Sequence, residues 1–196
     1  YGALNKSLLK NRNYIDLNAF CHSKKIVDKL GCFDENLKRY VDYDLICRIV
    51  DDGNVISVPV LLSDYFYDKT DNAITNDSAN VDQINIVREK NARRRVFKND
   101  SILKETSGKL GAPVTIIIPS YESYEDTEEC INSILELKHD NLKIVVVDNN
   151  SSPPVVEKLK KLCYKNSIQI IFNDFNYGFT YAVNQGIQVA DDDSDI

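Results

Sequence analysis

"VTIIIPSYESYEDTEECINSILELKHDNLKIVVVD" (114–148) sets two short apolar runs on either side of a helical pattern. "VTIII" (114–118) and "KIVVVD" (143–148) are β-branched and apolar on successive residues, as strands covered on both faces are. Between them Cys130, Ile131, Ile134 and Leu135 recur at helical spacing, with acids in the first turn. The pattern then repeats. "PPVVEKLKKLCYKN" (153–166) opens with prolines, which suit a first helical turn. "IQIIF" (168–172) is a third strand, "NDFNYG" (173–178) a turn, and "FTYAVNQGIQVA" (179–190) a third helix. This β-α-β-α-β-α order predicts an α/β fold with a right-handed, doubly wound, mostly parallel sheet, Rossmann-like, over 113–196.

The preceding residues follow another grammar. Residues 15–21 read as a strand and "SKKIVDKLG" (23–31) as a short helix ending at Gly31. "DYDLICRIVDDG" (42–53) reads as a helix with an apolar stripe at Leu45, Ile46, Ile49 and Val50, closed by Gly53. Asp44 and Arg48 stand four apart, the spacing of a surface ion pair. "VISVPV" (55–60) reads as a strand interrupted by Pro59, and 64–77 as a polar loop. Residues 78–105 read as one charged helix, whose Arg93–Arg95 triplet is a solvated face. "TSGKLGA" (106–112) then reads as a linker. The expected division is an α+β half at 1–105, a linker at 106–112 and the α/β half at 113–196.

The chain has 196 residues, room for one medium domain or two small ones, and 43% of them are hydrophobic. A net charge of −6 with no basic run argues against a nucleic-acid partner. The longest apolar runs are far too short to span a membrane, and no secretory signal opens the chain. It contains no Met, which suggests a fragment of a longer protein. The five cysteines (21, 32, 47, 130, 163) form no C-x-x-C pair and read as reduced, buried thiols of a cytosolic protein. His22 and His139 read as ordinary surface or helix-end residues.

In a doubly wound sheet, ligands sit beyond the carboxyl ends of the strands. Those ends carry "PSYES" (119–123), "DNNSS" (148–152) and "NDFNYG". Asp148 is placed to accept from a uracil imide N–H or from ribose hydroxyls, and Tyr121 to lie against a base or its ribose. Asn176 and Gly178 suit a tight turn that lets the backbone approach a phosphate. Spacing alone allows a plainer alternative, in which Asp148 and Asn149 cap the next helix and Gly178 is an ordinary turn residue.

"VTIIIPSYESYEDTEECINSIL", "KIVVVDNNSS" and "NYGFTYAVNQGIQVA" together resemble the opening of a family-2 glycosyltransferase: an apolar strand with P-x-Y, then "VVDN-x-S", then "N-x-G…A-x-N-x-G-I…A". The resemblance spans about 80 residues. It implies a GT-A fold and a nucleotide-diphosphate sugar donor, with a UDP-sugar favoured. By motif, Pro119, Ser120 and Tyr121 would flank the nucleoside and Asp148 would contact the base. Asn176, Gly178 and Asn184 would shape the diphosphate pocket.

"GCFDENLKRYVDYDLICR" (31–48) resembles the far end of the same family, where "GGFDE" precedes an acidic pair on a helix. Here the pair reads Val41-Asp42, so the first acid is missing. The resemblance makes Asp42 the catalytic base, and Asp34 and Glu35 part of the acceptor-side loop. An inverting transfer needs such a carboxylate, because the attacking hydroxyl must lose its proton. An N-terminal helix acid is the plainer reading of Asp42. Family members often place a metal-binding His after the last strands, whereas Lys69 stands near that place here.

The base-bearing half precedes the donor-binding half, the reverse of a single glycosyltransferase domain. A tandem enzyme accounts for this: 1–105 would finish one domain and 113–196 begin the next. A circular permutant, with residues 1–75 packed onto 113–196, is the alternative. "DDDSD" (191–195) follows the last helix with no apolar strand before it, so it reads as a solvated loop, with Ile196 opening a further strand. On that reading the chain holds no metal and is inactive alone, while the intact enzyme uses Mn²⁺ or Mg²⁺ to neutralise the departing diphosphate. The other reading gives Asp193 and Asp195 to the metal.

The function expected is sugar transfer to a saccharide acceptor in bacterial surface polysaccharide synthesis, in the cytoplasm or at the inner membrane face. A non-catalytic nucleotide- or sugar-binding module is the alternative, with Val41 and Lys69 marking lost chemistry. A nucleotidyltransferase fits less well, because "PSYESYED" has no glycine.

Overall fold

The computed structural model describes residues 4–15, 17, 20–53, 55, 80–95, 113–136 and 140–196. In chain order its elements are α1 (Lys6–Asn11), α2 (Lys24–Leu30), α3 (Val41–Asp52), α4 (Asn80–Arg95), β1 (Val114–Ser120), α5 (Tyr124–Glu136), β2 (Leu142–Asp148), α6 (Pro153–Lys165), β3 (Gln169–Phe172) and α7 (Phe179–Val189). They form two compact units: Tyr1–Cys21 with Asp34–Ser107, and His22–Phe33 with Gly108–Ile196. The expected halves differ from these units by the segment 22–33. None of the described helices is long and apolar enough to cross a membrane.

The elements among the first unit's described residues are all helices. Asn5 caps α1 by accepting the Leu8 N–H at 2.9 Å. Of the expected α3 stripe, Ile46 and Val50 join Tyr43 and Cys47 in a core with Leu9, Leu37 and Val87, while Leu45 and Ile49 are buried outside that cluster. The Tyr43 hydroxyl donates to the Leu9 carbonyl at 2.6 Å, and Gly53 ends α3 at φ 108°. The strand expected at 15–21 is not present among the described residues; a turn from the Phe20 N–H to the Leu17 carbonyl takes its place. Asp44 and Arg48 are not a surface pair. Burial runs unbroken from Tyr43 to Val50, so both lie inside, with Arg48 Nε 2.9 Å from Asp44 Oδ2. The strand expected beyond Val55, Lys69 with its loop, the ends of the helix expected at 78–105, the linker and His139 fall outside the described residues.

The second unit is a parallel α/β sheet, as the order of runs predicts. β1 pairs with β2 and β2 with β3, all parallel. One face carries α5 and α6 over Ile144 and Val146, through Ile131, Ile134, Leu162 and Cys163. The other carries α7 over Val145 and Val147, through Ala182. Alternate β2 side chains thus feed two cores, which is why the run is apolar at every position. On α5 the buried stripe is Thr127, Ile131 and Ile134, while Cys130 and Leu135 are exposed. Gly186 lets α7 approach the sheet closely, because a Cβ there would overlap the Ile117 side chain.

The far side of β1 is also paired. Asp195 bridges Val114 in parallel and Ser23 antiparallel. The Thr115 N–H donates to the Asp195 carbonyl and the Asp195 N–H to the Pro113 carbonyl, both at 2.8 Å. His22 and Ile196 exchange backbone bonds at 2.9 and 2.7 Å, and the Lys24 N–H reaches the Ser194 carbonyl. In place of the further strand expected at Ile196, Asp195 forms two isolated bridges. His22 is no simple surface residue: it is half-buried in this pairing, and burial lowers its pKa below the usual histidine value. The five cysteines are free thiols. Only Cys47 and Cys163 are fully buried, and burial pushes the Cys163 thiol up to about 11, far from a reactive value.

Candidate functional site at the strand ends

Parallel register brings the last residues of the strands side by side: Ser120 is level with Asp148, and Asp148 with Phe172. The Asn149 N–H donates to the Ser120 carbonyl at 2.8 Å and the Asn173 N–H to the Asp148 carbonyl at 2.9 Å. The three loops that follow are thus tied together at the ends of the strands.

Asp148 is 1% exposed. Its Oδ2 accepts the Ser151 N–H at 3.1 Å, while its Oδ1 is buried without a protein partner. The helix-capping alternative therefore accounts for one oxygen and leaves the other open. A buried carboxylate oxygen without a donor is costly, so the site is suited to an incoming N–H or O–H group.

The neighbouring residues are fixed around it. Pro119 is level with Val147, and the Ser120 hydroxyl lies 3.0 Å from that of Thr127. Tyr121 is 52% exposed in the bend after β1, available to stack on a planar ligand. Asn176 and Gly178 are held next to Asp148 through Asn149, which donates to the Asn176 Oδ1 and to the Gly178 carbonyl. Gly178 sits at φ 85° with open space where a Cβ would be. Asn184 is engaged elsewhere: it is buried, and its amide exchanges two hydrogen bonds with the Phe33 backbone. Asp42 belongs to the other compact unit, in the first turn of α3, where Asn13 Nδ2 lies 3.4 Å from its Oδ2.

Sequence reading overlooked Glu122. Held at φ 51°, it accepts the Ser152 N–H at 2.5 Å and the Ser152 hydroxyl at 2.9 Å. This carboxylate fills the positive N-terminus of α6. Only the density of Asn and Ser in "DNNSS" hinted at such loop-to-loop bonding.

Asp191, Asp192 and Asp193 are exposed, yet each of these three carboxylates has a cation. Lys143 reaches Asp191 at 3.0 Å, Lys24 reaches Asp192 at 2.7 Å, and Lys25 pairs with Asp193. Asp195 is committed by its backbone to the sheet. Three carboxylates already matched by three ammonium groups do not fit a divalent ion as arranged. Among the described residues, no group of three or more His, Cys, Asp or Glu side chains is placed to hold a metal.

A parallel sheet with helices on both faces defines a doubly wound type of α/β unit, in which ligands sit beyond the carboxyl ends of the strands. Residues 115–194 match the family model described as glycosyl transferase family 2. An uncharacterised glycosyltransferase of Haemophilus influenzae is 29% identical over 75 residues, 38% of this chain and 23% of the relative. The poly-β-1,6-N-acetyl-D-glucosamine synthase of Staphylococcus aureus is 28% identical over 77 residues, 39% of this chain and 19% of that protein. The matched stretch thus spans about a fifth of the length of these relatives. Among solved structures, a mannosyltransferase from Pyrobaculum calidifontis in complex with GDP-Man and Mn²⁺ aligns with a TM-score of 0.39 and 21% identity. The alignment covers 54% of this chain and 32% of that one.

Proposed function

We propose that the chain is part of an inverting glycosyltransferase that takes a sugar from a nucleotide-diphosphate donor, a UDP-sugar by preference, and passes it to a saccharide acceptor. The single observation that supports the donor reading is the open, buried Oδ1 of Asp148 at the end of β2. In this reading Asp148 accepts from the nucleobase, and Tyr121 lies against the nucleoside with Pro119 and Ser120 beside it. Asn176 and Gly178 line the diphosphate side. Asn184 serves that side indirectly, by holding the backbone at Phe33.

Asp42 is proposed as the base that takes the acceptor hydroxyl's proton as the C–O bond forms at the anomeric carbon and the nucleoside diphosphate departs. Any Mn²⁺ or Mg²⁺ used by the whole protein would rest on residues other than the lysine-paired Asp191–Asp193. We place the whole protein in bacterial surface polysaccharide synthesis, in the cytoplasm at the inner membrane face. The tandem arrangement, with one domain finishing at 105 and another beginning at 113, belongs to the same proposal.

Calorimetry with UDP and GDP tests the donor reading. A charge-assisted hydrogen bond contributes about 1.5–3 kcal/mol, so Asp148→Asn should weaken nucleotide binding roughly 10- to 150-fold. Equal affinity of the two proteins would remove the basis for the assignment. Donor hydrolysis by the longer protein, and its loss in Asp42→Asn, separates an enzyme from a binding module.

A further inference from the structure

Asn149 spends every hydrogen-bonding capacity of its side chain on protein. Its Nδ2 donates to Asn176 Oδ1 at 2.9 Å and to the Gly178 carbonyl at 3.1 Å. Its Oδ1 accepts from Asn173 Nδ2 at 3.0 Å and from the Tyr177 N–H at 3.3 Å. An amide has two donor hydrogens and two acceptor lone pairs, so nothing is left for a ligand. Asn173 is held in turn by Gln185 of α7. The two amides face each other reciprocally, Asn173 Nδ2 to Gln185 Oε1 at 2.8 Å and Gln185 Nε2 to Asn173 Oδ1 at 2.9 Å. The neighbouring Gly186 seats α7 against Ile117 of β1, so the relay starts from a rigid element.

We infer that Asn149, Asn173 and Gln185 are positioning residues for the donor site: a relay of amides from α7 to the end of β2 that sets the 173–178 loop beside Asp148. The inference rests on the nucleotide reading of Asp148. None of the three touches the ligand. They act by fixing where Asn176, Tyr177 and Gly178 stand before it arrives, and preorganisation of this kind is read as affinity. Gln185 is the informative position, because its side chain reaches the loop only through Asn173. An amide network is also non-additive: once one member is lost, its neighbours are already released.

Gln185→Ala, Gln185→Glu and Asn149→Ala, made in the full chain, test this against Asp148→Asn. UDP affinity is measured by calorimetry, and amide exchange is followed at Tyr177 and Gly178. Gln185→Ala is expected to weaken UDP about tenfold and to speed exchange at both amides, with β2 still protected. Gln185→Glu keeps the acceptor and loses the donor, so it should fall between wild type and Gln185→Ala. The Gln185→Ala, Asn149→Ala double variant should be little worse than the weaker single. If Asp148→Asn loses UDP while Gln185→Ala binds as wild type, the relay is overturned and the nucleotide reading stands. If wild type and Asp148→Asn bind alike, both fall. If Gln185→Ala lowers the unfolding temperature and speeds exchange throughout the unit, the role is structural and the inference is overturned.

Discussion

Asn184 of α7 holds Phe33 as a neighbouring strand would. The Phe33 N–H donates to Asn184 Oδ1, and Asn184 Nδ2 donates to the Phe33 carbonyl, each at 3.0 Å across 151 positions of sequence. The Phe33 ring meets Phe179 edge-on at 6.3 Å. A buried side chain here replaces a backbone, and it ties the end of the segment 22–33 to the parallel sheet.

Asn184→Ala leaves a buried N–H and a buried carbonyl without these partners, a cost of roughly 2–4 kcal/mol. Thermal unfolding should show a fall of several degrees, with amide exchange at Phe33 among the first to accelerate. A variant as stable as wild type would mean that the clamp does not form in solution.

Gly186→Ala should destabilise by about 1–3 kcal/mol, since its methyl group would displace Ile117 and lift α7. Pairing it with Ile117→Val should recover part of the loss. Chemical denaturation of the two variants checks both statements.

Asp44→Ala removes the carboxylate facing Arg48 Nε inside the first unit, at a cost of about 3–5 kcal/mol. Replacing both, Asp44→Leu with Arg48→Met, should cost less than the single change, because no charge is then left inside. Two-state denaturation curves decide this.

Acid should loosen the 22–33 segment from its partner strand. Burial depresses the folded pKa of His22, so the unfolded chain takes the proton first as pH falls. The contribution is full above about 6.5, the ordinary histidine value, and declines below it. Asp192 adds to this at lower pH: its bond from Lys24 holds the carboxyl below the usual range, and that support disappears as pH falls through the lowered value. Amide protection at residues 22–33, taken relative to the intrinsic exchange rate at each pH, should therefore fall between pH 7 and pH 5, and His22→Gln should flatten the change.

The parallel sheet was legible because its signal is local. Apolar runs at 114–118, 143–148 and 168–172 each sit within one strand, and the helices between them show their own period. Features built from distant residues left no such trace. Lys24 and Asp192 lie 168 positions apart, so the tail reads only as a cluster of acids until the fold supplies its cations. Asp44 and Arg48 show surface spacing, yet α3 is covered on every side between 43 and 50. At the site, the motif residues Ser120, Asp148, Asn176 and Gly178 do come together. Asn184 does not join them, since a motif carries identity and spacing but not the direction in which an amide faces. Residues 22–33 share a compact unit with Gly108–Ile196, whereas the rest of 1–75 falls in the other unit; the tandem order remains a proposal about the longer protein.

Because residues 194–196 lie between β1 and 22–24, that margin of the sheet is closed by peptide encoded long before it. A recombinant piece opening at the linker would bare a row of backbone amides and carbonyls, the kind of raw border through which sheets self-associate. Expression boundaries for the α/β unit belong ahead of His22, however natural a start Pro113 offers.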